Sequence, residues 1–338
     1  MKTVHLLPLL LAIVSTTIHA QTTDSRKFHF HYGAEITDQS PGSTARIWFP
    51  IAATSAQQTV TITNKISPAE ISQHRDDKHG NTIGYFETTV PENGGFEFQI
   101  DYDVERKESK PYGNGVPLTE KEKSLYLSAN ALVPIQGRPL ELIANRKLPT
   151  ETMATGQALY SLVRDHMRYD KSKPGYGNGD SVWACDSRFG NCTDFHSLFI
   201  SLARSQKIPT KFEIGFPLPL IPTGRVSEGS NDITTRRVSE GPTPQPIGGY
   251  HCWAWFHSDA EGWVPVDISE ADKHPELAKY YFGRLTADRI TMSVGRDIQL
   301  QPPSASGPLN YFVYPHIEID GTVIDKKHMT GKFTVLMP

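Results

Sequence analysis

The stretch Phe189-Gly190-Asn191-Cys192-Thr193-Asp194-Phe195-His196 decides how the rest of the chain is read. Asn191 is a preferred helix N-cap, and Asp194 stands at the third helical position, where a carboxylate suits the positive end of the helix dipole. Phe195, Leu198, Phe199, Leu202 and Ala203 follow as an apolar stripe at helical spacing. The spacing predicts a helix with Cys192 in its first turn and Gly190 allowing the incoming loop to approach closely. A helix N-terminus favours thiolate over thiol, and a nearby imidazole adds to this, so the position is one at which a cysteine becomes a nucleophile. The N–H of Cys192 would then be half of an oxyanion hole.

Working outward, Ala158, Leu159, Leu162, Val163 and Met167 recur at helical spacing before the turn-rich Pro174-Gly175-Tyr176-Gly177-Asn178-Gly179. Strand-like runs come after the cysteine helix: Lys211 to Phe216, Tyr250 to His257, Gly262 to Asp267, and Leu309 to Ile319, which turns through Asp320-Gly321 into Thr322-Val323-Ile324. The expectation is helices first and an antiparallel sheet second. A base for the thiol must come from elsewhere in the chain, and of thirteen histidines His251 is the best placed. It opens a strand whose hairpin partner ends at Asp267. That pairing would set His251 and Asp267 side by side, with Asp267 orienting the ring toward the thiol.

Upstream, Phe28-His29-Phe30-His31-Tyr32, Ala45 to Phe49, Val60 to Thr63, Tyr85 to Thr88 and Phe96 to Ile100 alternate in the manner of strands, with Gly, Asn and Pro clusters between them. This predicts an antiparallel β domain, and the polar stretch Arg106 to Asn114 reads as the linker after it. Lys2, the apolar run Leu6 to Val14 and Ile18-His19-Ala20 read as a leader over residues 1–20. The β domain is expected over 21–130 and a catalytic domain over 131–338, with a Pro-, Gly- and Ser-rich insertion at 217–249 that repeats Arg225-Val226-Ser227-Glu228-Gly229 as Arg237-Val238-Ser239-Glu240-Gly241. As a surface insertion it is either disordered or a lid. Nothing after Ala20 is long and apolar enough to span a membrane. The net formal charge of -3 leaves no electrostatic footprint for nucleic acid. The expected setting is therefore periplasmic or secreted, without stable membrane insertion.

Three blocks in the order Cys, His, Asp carry a family resemblance: Phe189 to His196, Gly249-Tyr250-His251-Cys252-Trp253-Ala254, and Gly262-Trp263-Val264-Pro265-Val266-Asp267. Over roughly Leu159 to Asp297 the chain resembles the transglutaminase-like superfamily, and the preceding β region resembles a domain often attached to such proteins in bacteria. The resemblance implies an α+β, papain-like catalytic domain with Cys192, His251 and Asp267 as a catalytic triad. The resemblance leaves the reaction open, and the reading favoured here is a thioester intermediate on Cys192 with no cofactor. The chemistry is that of a thiol enzyme acting on a peptide or carboxamide bond, with hydrolysis favoured. A protein cross-linking transglutaminase, and a peptide- or cell-wall-binding module with a vestigial triad, are the alternatives. The expected partner is a protein, peptide or cell-wall peptide substrate.

Other residues are open to two readings. His29 and His31 could ligate a metal, but a solvated strand face is favoured. Cys185 and Cys252 form a disulfide or stay as buried thiols, Cys252 facing away from the site if His251 faces it. A Cys185–Cys192 bridge would be an inactive form. Trp183 or Asp186 could supply the second oxyanion donor. Asp194 reads as a cap rather than a catalyst. A Cys192-His196-His251 zinc site ranks below thiol chemistry because its spacing is unlike that of zinc motifs, and no metal is expected. Arg284, Arg289 and Arg296 have no role that sequence can assign.

Overall fold

The computed structural model describes residues 24–219 and 243–337. The expected leader and the duplicated Arg225–Gly229 and Arg237–Gly241 segments lie outside them. Along the strand Ser25–Ile36 the alternation is realised, with Phe28, Phe30 and Tyr32 buried. His29 and His31 lie on the other face, each bonded across the neighbouring strand to Asp103 and Asp101, the latter at 2.8 Å. Cross-strand carboxylates therefore occupy both rings.

Two five-stranded antiparallel sheets form a sandwich. The first runs in the order Gln245–Pro246, Met329–Leu336, Ser25–Ile36, Phe96–Lys107, Gln58–Ile66. The second runs Thr322–Val323, His316–Ile319, Thr44–Ile51, Thr82–Thr89, Ser72–Arg75. Aromatic side chains from both inner faces meet between them, Phe49 packing on Phe98 with ring centroids 4.7 Å apart and on Tyr32 at 6.4 Å. The expected antiparallel β region is present.

The remaining elements form the α+β region. A four-stranded antiparallel sheet, ordered Gly262–Val266, His251–Ser258, Thr210–Pro217, Arg289–Val294, packs against the helix Cys192–Ser205. That helix also touches the helices Thr152–His166, Ser181–Ser187 and Ile268–Lys273, and every residue from Cys192 to Arg204 is buried. The sequence predicts one apolar stripe, whereas the helix is enclosed on all sides. Its polar outer residues are satisfied inside: Ser201 bonds to the carbonyl of Pro134, and Arg204 to Thr210, Ser128 and Asn130. A central helix of this kind holds its first residue still.

Two expectations are corrected. The C-terminal strands do not join the sheet that carries His251. Instead Met329–Leu336 pairs with Ser25–Ile36, and His316–Ile319 pairs with Thr44–Ile51, so the chain returns to complete the sandwich. The Asp320-Gly321 turn forms as read, with φ of 48° and 78°. The segment Arg106 to Asn114 is not a free linker either. Ser109 bridges to Leu285 and Tyr112 to Trp263, while the buried Arg106 guanidinium lies over the Trp253 ring. Phe216 of the four-stranded sheet packs on Phe30 at 5.6 Å and on Phe333 at 4.5 Å. Sandwich and α+β region thus share a core, and burying Phe216 there contributes about 1.5–3 kcal/mol.

Candidate active site

Local chemistry sets the start of the cysteine helix. The Asn191 side chain accepts from the N–H of Thr193 at 3.0 Å, and Asp194 accepts from the N–H of Asn191 at 2.9 Å, closing a capping box. Asp194 also accepts from Gly177 at 2.8 Å and Gly179 at 3.0 Å, so it staples the 177–179 loop to the helix. Burial pushes its carboxyl up to about 6 against these donors. A Cβ at Gly190 would sit 2.5 Å from the Asp194 carboxylate, which is why glycine is required there. Asp194 is a cap, as read.

Cys192 is the first residue of the helix and is 2% exposed. A residue at this position has no acceptor within the helix. His251 opens its strand, directly opposite Gly215, and Asp267 lies one residue beyond the end of the partner strand. Continuing the pairing of Ala254 with Val266 puts Asp267 across from Trp253, so His251 and Asp267 meet on a diagonal rather than side by side. His251 Nε2 lies 2.7 Å from Asp267 Oδ2, and the Cys192 thiol lies beside the same imidazole. With Nε2 on the carboxylate, Nδ1 is the nitrogen left for sulfur. The three residues named from sequence are brought together in one buried line.

Burial opposes charge at all three, and their partners overcome it. The Cys192 thiol is buried, yet hydrogen bonds with Cys252 and His251 and the charge on His251 hold its pKa well below the thiol range. Burial likewise opposes protonation of His251, but Asp267 and Cys192 raise it to about 10. Asp267 is held well below the carboxylate range by His251 and Arg289 despite its own burial. The favoured state is a thiolate–imidazolium pair backed by a carboxylate.

Three further residues shape the site, and none was assigned this part from sequence. Arg289 Nη1 donates to Asp267 Oδ2 at 3.1 Å, both groups being buried. His196 Nδ1 bonds the Cys192 carbonyl at 2.7 Å, and its Nε2 accepts from the N–H of Ile268 at 3.1 Å. That acceptor role leaves Nδ1 as the protonated nitrogen, and burial keeps the ring neutral. His196 is a strut between the cysteine helix and the Asp267 turn. Both its nitrogens are engaged, which removes it from a Cys192-His196-His251 zinc site. Cys252, the third, lies beside Cys192, its sulfur 3.6 Å from His196 Nδ1.

The position of Cys252 corrects the expectation that it faces away. The cysteine helix packs on the sheet face that Cys252 shares with Phe256, whose ring meets Phe199 of the helix at 6.2 Å. His251 begins the strand, so successive residues on opposite faces both reach the thiol at the helix start. All three cysteines are free, and Cys185 bonds the Arg138 carbonyl instead of Cys252 or Cys192. Trp183 and Asp186 are corrected as well. Trp183 packs on Phe189 with centroids 5.2 Å apart, Asp186 pairs with Arg138 at 2.6 Å, and neither lines the cavity beside Cys192. Of the three arginines, Arg284 pairs with Glu108, and Arg296 holds the 178–179 loop through the carbonyls of Gly179 and Asn178.

A cavity of about 500 Å³ opens at Cys192, with Tyr169, Tyr250, Asn191 and Tyr311 on its walls. The Tyr250 hydroxyl accepts from Asn191 Nδ2 at 3.0 Å, tying the wall to the helix cap. Among the described residues, His251, Asp267 and Glu270 could offer one metal-ligand atom each within 4.8 Å. Arg289 on Asp267 and Lys273 on Glu270 already supply positive charge there, which opposes a cation.

Residues 142–268 match the family model of the transglutaminase-like superfamily. A relative from Haemophilus influenzae, an uncharacterized protein, is 26% identical over 341 residues, covering 92% of this chain and 90% of its own. A crystal structure described as "a Putative Cysteine Protease from Cytophaga hutchinsonii" is similar with a TM-score of 0.52 at 13% identity, over 94% of this chain and 99% of that one. The periplasmic domain of TgpA from Pseudomonas aeruginosa aligns with a TM-score of 0.35 at 14% identity, over 76% and 91% of the two chains. The Cytophaga structure shares the fold along nearly the whole chain, sandwich included.

Proposed function

We propose, taking the transglutaminase-like domain over residues 142–268 as the premise, that this protein is an exported thiol hydrolase acting on peptide or carboxamide bonds. The observation that carries the proposal is the buried line from the Cys192 thiol through His251 to Asp267, closed by the 2.7 Å bond. The Cys192 thiolate adds to the carbonyl carbon, and the carbonyl π pair moves onto oxygen. The N–H of Cys192 and the hydroxyl of Tyr169 receive that oxyanion. Tyr169 lines the cavity, and burial together with the Cys192 charge keeps its phenol protonated. As the intermediate collapses, the C–N bond breaks and the departing nitrogen takes the proton of His251 Nδ1, leaving a thioester on sulfur. Water then attacks the thioester, gives its proton to His251 and expels the thiolate.

Asp267 keeps the imidazole aimed throughout and does not itself take the proton. Hydrolysis is the outcome proposed, because the cavity at Cys192 opens to solvent and water reaches the thioester. The test is to incubate wild type and Cys192→Ala with a peptide library, with and without methylamine, and to read the products by mass spectrometry. Cleaved or deamidated products that need Cys192 are expected. Methylamide as the main product would make the protein a transferase. Full activity in Cys192→Ala would sink the proposal.

A further inference from the structure

The cavity at Cys192 does not end beside the cysteine. A second cavity of about 470 Å³ adjoins it, and the two share Gly248, Gly249, Tyr314, Pro315, His316 and Lys326 as walls. The far part is lined by side chains of the sandwich, Ile317, Val323, Ile324, Met329 and Phe333, with Ile247. Four large hydrophobic residues are exposed among those described, Ile66, Val116, Tyr176 and Val323. Two of the four line this groove: Tyr176 beside Cys192 and Val323 in the far pocket. Exposed apolar surface gathered in a continuous concavity marks a binding surface.

Charge points to what binds. Among the described residues, none lining either cavity is Asp or Glu, whereas Lys171 and Lys326 are exposed on the walls. The chain as a whole has 37 acidic residues and 34 basic ones, so a groove whose described walls carry two lysines and no carboxylate runs against its overall balance. Glu318, behind His316, is buried and already shared with Ser304 at 2.7 Å and Arg46 at 3.5 Å. At the junction, a Cβ on Gly248 would meet nothing within 4 Å, and the backbone there is not left-handed. Neither conformation nor packing requires glycine at 248. Its effect is to keep the passage open.

We propose that this groove binds an extended peptide substrate, seating a bulky apolar side chain in the sandwich pocket and a substrate carboxylate on Lys326. The sandwich is then a specificity element, which gives a function to the return of the C-terminal strands to it. This assignment rests on the acyl-transfer reading for what happens at Cys192, but not for binding. The test uses full-length Cys192→Ala protein and fluorescence anisotropy. The probes are fluorescein-labelled Gly/Ser heptapeptides with a central Gln, in which one Phe and one Glu are moved through every pair of positions. A subset is expected to bind about tenfold tighter than its partners with Lys for Glu or Ser for Phe. Lys326→Glu should reverse the charge preference, a gain that misfolding cannot produce, and Gly248→Trp should abolish the Phe preference.

Binding no better than the Gly/Ser parent, or affinities unmoved by Lys326→Glu and Val323→Asp, would overturn the assignment. Alkylation of the wild-type thiol separates the two ideas. Selective peptide binding beside an inert Cys192 sinks the hydrolase and leaves the groove, whereas a reactive Cys192 without peptide binding sinks the groove alone.

Discussion

Replacing Asp267 with asparagine keeps the shape of the side chain and removes one buried charge on which two cations lean. His251 Nε2 is 2.7 Å and Arg289 Nη1 3.1 Å from the same oxygen. At an effective dielectric of about 20, the His251–Asp267 attraction is roughly 6 kcal/mol. If relaxation recovers half of it, about 3 kcal/mol is lost, equivalent to about two pKa units of support for the imidazolium. The thiolate–imidazolium pair loses the same amount against the neutral pair, about 100-fold in equilibrium, so the pH range over which iodoacetamide alkylates Cys192 at the full rate should narrow in Asp267→Asn. Arg289 is left as a buried charge without a counter-ion, which costs about 3–5 kcal/mol and lowers the melting temperature by about 10 °C. Adding Arg289→Met should restore much of the stability and none of the reactivity. The assay is the alkylation rate against pH, followed by mass spectrometry of the Cys192 peptide. A curve for Asp267→Asn that superimposes on wild type would refute the reasoning.

Other outcomes follow from the same geometry. Tyr169→Phe should lower turnover about 10²-fold while leaving the alkylation of Cys192 unchanged, because an oxyanion donor acts only after attack; equal loss of both would assign Tyr169 to packing. Cys252→Ala removes the thiol beside the Cys192 sulfur and should slow its alkylation at pH 6 several-fold without changing the rate at pH 10, and equal rates at both would show that Cys252 does not support the thiolate. Stability should track the same groups. A depressed Cys192 pKa contributes stability that is present above its unfolded value of about 8.5 and lost as pH falls. The raised His251 contributes in full below about 6.5 and loses its share as pH rises through about 10. The melting-temperature difference between wild type and Cys192→Ala should therefore grow as pH rises from the acid side and shrink again between about 8.5 and about 10, where the His251 share is lost, and a difference independent of pH would mean an unshifted thiol.

Much of this architecture is local and therefore legible in the sequence. Asn191 and Asp194 mark the helix start by capping chemistry that needs only three residues, and Gly190 marks the tight approach. His251 and Asp267 belong to one hairpin, so their proximity follows from a turn and a strand length. Long-range pairing is a different matter. Alternation shows that His316–Ile319 is a strand but not that its neighbour is Thr44–Ile51, more than 250 residues earlier. The diagonal meeting of His251 and Asp267, and the approach of Cys252 to the thiol, depend on which sheet face the cysteine helix covers. Arg289 carried one signal that could have been used. It begins a strand whose Ile290 and Met292 are apolar, and a charge on a buried strand implies a buried counter-charge.

The central claim is that Cys192 and His251 rest as thiolate and imidazolium before any substrate arrives. Nitrogen-15 NMR of histidine-labelled protein reads this state directly from the ring nitrogens at pH 8. In the wild type both nitrogens of His251 should be protonated at that pH, about 1.5 units above the ordinary imidazole value, and the Cys192→Ala variant should titrate lower. A neutral His251 ring at pH 8 in the wild type, with the same titration in Cys192→Ala, would contradict it.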